Sequence, residues 1–158
     1  MWNEVRAERV RRELLERMRA PLGSAQLLEE ASALVHRVVP VDSSCWATFD
    51  PATTMITSTV AYALDEDAQA LERFLDLEYA NPGPLAFRTL KAERRTLAVL
   101  GEDDAHDPVA AEARARDHLA PMGFRQELRW VLGVGDTAFG GVGMMRSGSR
   151  PFSEDERA

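Results

Sequence analysis

The chain has 158 residues, 45% of them apolar and 28% charged, and its 19 basic and 26 acidic side chains leave a net charge of −7. That length suits one ordinary domain whose core needs no metal or disulfide staple, and no apolar run approaches the roughly 20 residues of a membrane span. An acidic surface repels nucleic acid, a charged N-terminus lacks the apolar stretch of a secretory signal, and a single cysteine, Cys45, excludes an internal disulfide or a CxxC pair, so the expectation is a cytoplasmic domain that touches neither membrane nor DNA.

From Trp2 to Arg19 there is neither Gly nor Pro, and Val5, Val10, Leu14, Leu15 and Met18 form an apolar stripe, which predicts one amphipathic helix. After "APLG", Ser24 is placed to cap a second helix carrying Leu27, Leu28, Ala31, Leu34, Val35 and Val38 before Pro40. The period then changes. In "SSCWATFDPATTMITSTVAY", Cys45, Ala47 and Phe49 alternate with Trp46, Thr48 and Asp50, and "DPAT" supplies a turn, so a hairpin is expected. "LDEDAQALERFLDLEYA" reads as a helix capped by Asp65, with Leu71, Phe74, Leu75 and Leu77 near one face, and "NPGP" closes it.

A short helical stretch around Leu85 to Lys91, a brief strand at "TLAVL" and a polar loop at "GEDDAHD" come next. Asp107 and Pro108 form a cap and first-turn proline for "PVAAEARARDHLAPMG", which Gly123 terminates. Phe124, Leu128, Trp130 and Leu132 then share one strand face, and Arg125, Glu127 and Arg129 the other; "GDTA" turns the chain into a last strand, "FGGVGMMR". In "RPFSEDERA", Ser153 and Glu156 make a capping box, although about five helical residues cannot offset nucleation alone. Adjacent strands joined by tight turns, with helices between them, predict an α+β domain built on an antiparallel sheet.

The order of elements and the phrases "CWATFDPAT", "HLAPMGFRQELRWVL", "GGVGMMR" and "RPFSEDERA" resemble GAF domains, in particular those preceding the helix-turn-helix modules of actinobacterial LuxR-type transcriptional regulators. The resemblance covers nearly the whole chain. It implies a central antiparallel sheet with the N- and C-terminal helices on one face and a pocket-forming layer of helices and loops on the other. It further implies pairing through terminal helices into a homodimer, and a last long helix leading to a DNA-binding module. On this view residues 1–22 are a dimerising, signalling helix, and residues 23–158 are the GAF-like domain, stopping at the start of its C-terminal helix. The Arg residues of the first helix interleave with Glu4, Glu8, Glu13 and Glu16 as a solvated face, while Val10, Leu14 and Met18 offer the dimer seam.

The chemistry legible in the chain is sparse. The glycines of "GVGDTAFGGVG" sit in a hairpin instead of opening a helix, so they read as turn and packing residues; Gly140, Gly141 and Gly143 clear space for a helix or a ligand. His106 with Asp103, Asp104 and Asp107 matches no calcium or zinc spacing and reads as a solvated loop with a helix cap. Cys45, inside a strand, is expected to be a buried, unreactive thiol. No nucleophile, acid and base set appears, and the "NKFDE" signature of cyclic-nucleotide-binding GAF domains is missing, so neither catalysis nor a cofactor is expected.

Phe49, Met55, Phe74, Tyr79, Phe87, Phe124, Leu128, Trp130 and Met144 are the expected lining of a pocket for a small molecule; the same side chains also describe an ordinary core. Two functions follow from the resemblance. One is a sensory domain that binds a small molecule and signals through its terminal helices. The other is a ligand-free dimerisation module.

Overall fold

The structure is a computed structural model that describes residues 2–65, 67–102 and 107–158. The loop reading made for Asp103, Asp104 and His106 lies outside the described residues. Helices α1 (Trp2–Arg17) and α2 (Ser24–Val35) open the chain, followed by strands β1 (Ser43–Phe49) and β2 (Ile56–Tyr62). Helices α3 (Ala68–Leu75) and α4 (Phe87–Ala92), strand β3 (Leu97–Val99) and helix α5 (Pro108–Arg114) come next, then strands β4 (Gln126–Val134) and β5 (Thr137–Arg146) and helix α6 (Glu154–Arg157). The five strands form one sheet in the order β2-β1-β5-β4-β3, and every neighbouring pair is antiparallel.

Both faces of the sheet are covered, which is why β1 and β5 are buried at nearly every position rather than at every second one. On one face, Trp46, Leu128, Val142 and Met144 meet Leu28 and Ala31 of α2, Val39, and Phe152 from the C-terminal segment. Leu14 of α1 packs against the same cluster. On the other face, Ala47, Phe49, Val131 and Ala138 meet Leu85, Phe87 and Leu90 around α4. The N- and C-terminal helical segments therefore share one side, as the resemblance to GAF domains implies.

Local signals explain most boundaries. Asp107 caps α5 by accepting from the Ala110 N–H at 3.0 Å, and Gly123, at φ +84°, takes the left-handed conformation that ends the helical run. Two caps differ from expectation. Asp67, not Asp65, caps α3, accepting from the Ala70 N–H at 2.7 Å. Gly23 stands at the N-cap of α2 and Ser24 is its first helical residue, with no side-chain cap bond.

Gly141 marks a close approach, since a Cβ there would lie 2.5 Å from the Phe87 ring and 2.7 Å from that of Phe49. The C-terminal stretch is clamped to the sheet through Arg146. Its guanidinium donates to the carbonyls of Pro40 at 2.8 Å and Pro151 at 3.1 Å, pairs with Glu156 at 2.8 Å, and lies 4.0 Å from the centre of the Phe152 ring. Glu156 also accepts from the Ser153 N–H at 2.8 Å, the carboxylate half of the capping box.

The dimer seam expected on α1 is largely consumed inside the chain. Val10 is only 6% exposed and Leu14 packs on the core, because the i, i+4 stripe faces α2. Among the described residues, the large apolar side chains left exposed here are Val5 and Leu15 on α1 and Met18 just beyond its end.

Candidate functional site

The β1–β5–β4 register builds a floor from alternate residues. Cys45 pairs with both Ala61 and Gly143, Gly143 pairs with Arg129, and Met145 pairs with Glu127, so these side chains share one face of the sheet. Small residues at Ala47, Ala61 and Gly143 lower the centre of that floor. A Cβ built on Gly143 meets only Glu127 Oε1, at 3.8 Å. Cys45, expected to be buried, is half-exposed on this floor.

The roof comes from α3 and α5, and each ends in a π-helical turn, Asp76–Ala80 after α3 and Ala115–Leu119 after α5. Such turns insert a residue into the helical ladder and re-aim the side chains beyond it. Here they carry Glu78 and Tyr79 in one case and Asp117 and His118 in the other. Between floor and roof lies a cavity of about 1190 Å³, mostly apolar, lined by residues that include Met55, Phe74, Tyr79, Phe87, His118 and Met145. That volume exceeds the roughly 300–1,000 Å³ of ordinary small-molecule pockets.

One end of the cavity is charged and buried. Glu78, Arg114, Glu127 and Arg129 are each no more than 4% exposed. Arg114 grips Glu127 with two bonds, Nε to Oε2 at 2.6 Å and Nη2 to Oε1 at 2.8 Å, and its Nη1 lies 3.5 Å from Glu78 Oε1. Arg129 donates to Glu78 Oε1 at 2.5 Å and to Glu127 Oε1 at 3.2 Å. Glu78 Oε2 accepts from the Phe87 N–H at 3.1 Å, capping α4, and the Arg129 guanidinium stacks 3.7 Å from the Phe87 ring centre. The four charges cancel, and two come from the roof and two from β4.

Burial raises the Glu127 carboxyl, but the Arg114 guanidinium bound to it, with Arg129 beside it, brings it down to about 2. His118, 3% exposed, goes the other way from an ordinary histidine: burial first, then Arg114, holds it down to about 4, so it is neutral at pH 7. No cluster of three or more metal-ligating side chains occurs among the described residues.

The side chains expected to line a pocket divide. Met55, Phe74, Tyr79 and Phe87 do line the cavity. Phe49 lies beneath Phe87, their ring centres 5.1 Å apart, in the packed core at the cavity's edge. Leu128 and Met144 point into the opposite core against α2, Trp130 is on that same strand face at 37% exposure, and Phe124 is half-buried ahead of β4, its N–H bonded to the Leu119 carbonyl. The strand faces were grouped correctly but assigned to the wrong sides. The apolar alternation of β4 belongs to the helix-covered core, and the charged alternation, Glu127 and Arg129, forms the cavity wall. Charged residues alternating in a central strand whose other face is already apolar were the available signal, since a strand covered on both sides must pair them. The aromatic criterion also missed Arg114 and His118.

This is an α+β domain with a partly open cavity between its sheet and a helical roof, and solved structures share its fold. The VqsR ligand-binding domain (LBD) from Pseudomonas aeruginosa matches with a TM-score of 0.60 at 16% identity, over 95% of this chain and 84% of that one. The phycocyanobilin-bound GAF domain of a cyanobacterial phytochrome gives 0.62 at 16% identity, over 95% and 85%. Escherichia coli SdiA gives 0.56 at 18% identity, over 93% of this chain and 59% of SdiA. The chain has the GAF fold, and in fold it resembles the sensory domains of LuxR-type regulators. By sequence, no family model and no curated protein matches it.

Proposed function

We propose that the chain is a non-enzymatic GAF-type sensory domain of a cytoplasmic transcriptional regulator. A small molecule enters the cavity, and the change passes through the terminal helices toward a DNA-binding module. The observation that carries this reading is the cavity of about 1190 Å³ between floor and roof, most of whose wall is apolar. A packed structural module would fill that space with side chains. In support of a non-catalytic role, the four buried charges at the cavity's end are committed to one another, and His118 has neither carboxylate nor nucleophile hydrogen-bonded to it among the described residues.

No helix among the described residues is long and apolar enough to cross a membrane. Val5 and Leu15, exposed on α1, and Met18 just beyond its end support a homodimer that pairs through this helix. Replacing Leu15 and Met18 with Glu is expected to leave a monomer in light scattering, and an unchanged dimer would refute the α1 interface.

A thermal-shift screen against a metabolite library tests the sensory reading. A ligand at a hundredfold excess over its Kd adds about 2.7 kcal/mol and raises the melting temperature by several degrees. That shift should vanish in Gly143→Leu, whose side chain occupies the floor. A library in which no compound stabilises the protein would favour the ligand-free dimerisation module instead.

A further inference from the structure

The charged end of the cavity has spare arginine donors and no spare carboxylate acceptors. Each carboxylate oxygen of Glu78 and Glu127 already accepts, three of them from Arg114 or Arg129 and the fourth, Glu78 Oε2, from the Phe87 N–H. By contrast three buried nitrogens of wall residues, Arg129 Nε, Arg73 Nε and His118 Nδ1, have no hydrogen-bond partner among the described residues. An arginine Nε can only donate, and its proton is permanent. Leaving such groups buried and unmet is costly, so their partner is expected to arrive from outside the chain.

These groups are neighbours. The Phe74 ring lies 5.9 Å from the Arg129 guanidinium and 5.7 Å from the His118 ring, and His118 responds to Arg73, Arg114 and Arg129 together. Charge points the same way as the donors. Among the wall and lock side chains that are not exposed, the three guanidiniums of Arg73, Arg114 and Arg129 face the two buried carboxylates Glu78 and Glu127, and His118 is neutral, which leaves one positive charge; the other carboxylates of the wall, Glu72, Asp76 and Asp117, are exposed to solvent. Asp117, which also interacts with Arg73, is exposed and held by Arg116 at 2.7 Å. One negative charge would balance this end. A doubly charged group such as a phosphate would leave an unpaired anion in a low-dielectric site.

We propose that the ligand is an amphiphilic monocarboxylate, an apolar chain or ring system whose single ionised carboxylate docks against Arg73, His118 and Arg129 while its body fills the apolar cavity. The proposal rests on the ligand-binding reading given above and adds the chemical class.

The test is calorimetric titration of the purified protein with two matched pairs, decanoate with 1-decanol and 2-naphthylacetate with 2-naphthylethanol, below their aggregation concentrations. In at least one pair the acid should bind one per chain and at least tenfold more tightly than its alcohol. Arg73→Gln should weaken the acid about tenfold, the effect of one charge-assisted hydrogen bond, and leave the alcohol unchanged. Arg12→Gln, on α1 away from the cavity, should change neither. Equal binding of acid and alcohol would overturn the carboxylate assignment and leave the cavity reading intact. Binding of none of the four compounds would also overturn it, and the library screen would then decide separately whether the cavity takes any ligand.

Discussion

Arg129 and Glu78 meet at 2.5 Å, the guanidinium standing on the middle of β4 and the carboxylate on the π-helical turn that follows α3. This pair fastens the roof of the cavity to its floor, and Arg114 with Glu127 repeats the connection from α5. Two charges from short helical segments and two from one strand of the sheet make a lock whose members are all buried.

Removing one member leaves another charge buried without compensation, so Arg129→Met is expected to destabilise the fold by about 3–5 kcal/mol. Adding Glu78→Leu should restore much of that loss. Urea denaturation of wild type, single and double variants checks both, and an Arg129→Met midpoint unchanged from wild type would refute the lock.

Acid should loosen the domain in two stages of the same sign. His118 has its folded pKa pushed down to about 4, below the roughly 6.5 of an unfolded histidine, so the unfolded chain binds the extra proton between those values. Its contribution is complete above pH 6.5 and is lost as pH falls toward 4. Glu127, held at about 2 against roughly 4.3 unfolded, adds a second loss as pH falls from about 5 toward 2. Denaturation midpoints measured at pH 7.5 and pH 5 should differ in wild type and differ less in His118→Asn; an equal pH response in both proteins would exclude His118.

Two glycines two residues apart on β5 should behave oppositely. Gly141→Ala drives a methyl into the Phe87 and Phe49 rings and is expected to cost about 1–3 kcal/mol, whereas Gly143→Ala projects into the cavity and should be tolerated. Melting temperatures of the two variants decide this, and equal effects would show that the cavity floor is not open at Gly143.

The clamp on the C-terminal segment gives a local expectation. Glu156→Ala removes the partner of Arg146 and of the Ser153 N–H, with a loss of about 1–3 kcal/mol. Hydrogen exchange should accelerate around Phe152 more than in β4. Uniform exchange across both would argue against a local clamp.

Whereas the placing of the terminal segments on one face came only from the resemblance to GAF domains, the element order and the antiparallel sheet were legible in the sequence, because apolar period and turn chemistry act over a few residues. The caps at Asp107 and Gly123 were legible for the same reason. What failed required knowing what lay across from a side chain. Leu128 and Met144 could face either layer until the partners of both faces were known, and Val10 and Leu14 suit an intrachain helix as well as a second copy. The lock joins Glu78, Arg114, Glu127 and Arg129 across three segments, and no short window of sequence contains it. The π-helical turns leave no residue signature at all, yet they carry Glu78 and His118 into the site.

Strand β5 changes sides between two consecutive residues. Met145 belongs to the wall of the cavity, and Arg146, one peptide bond on, holds Pro40, Pro151 and Glu156 on the far side of the sheet. A strand so loaded ties the two layers together covalently: the residue that touches the cavity and the residue that holds the C-terminal segment are separated by a single peptide bond.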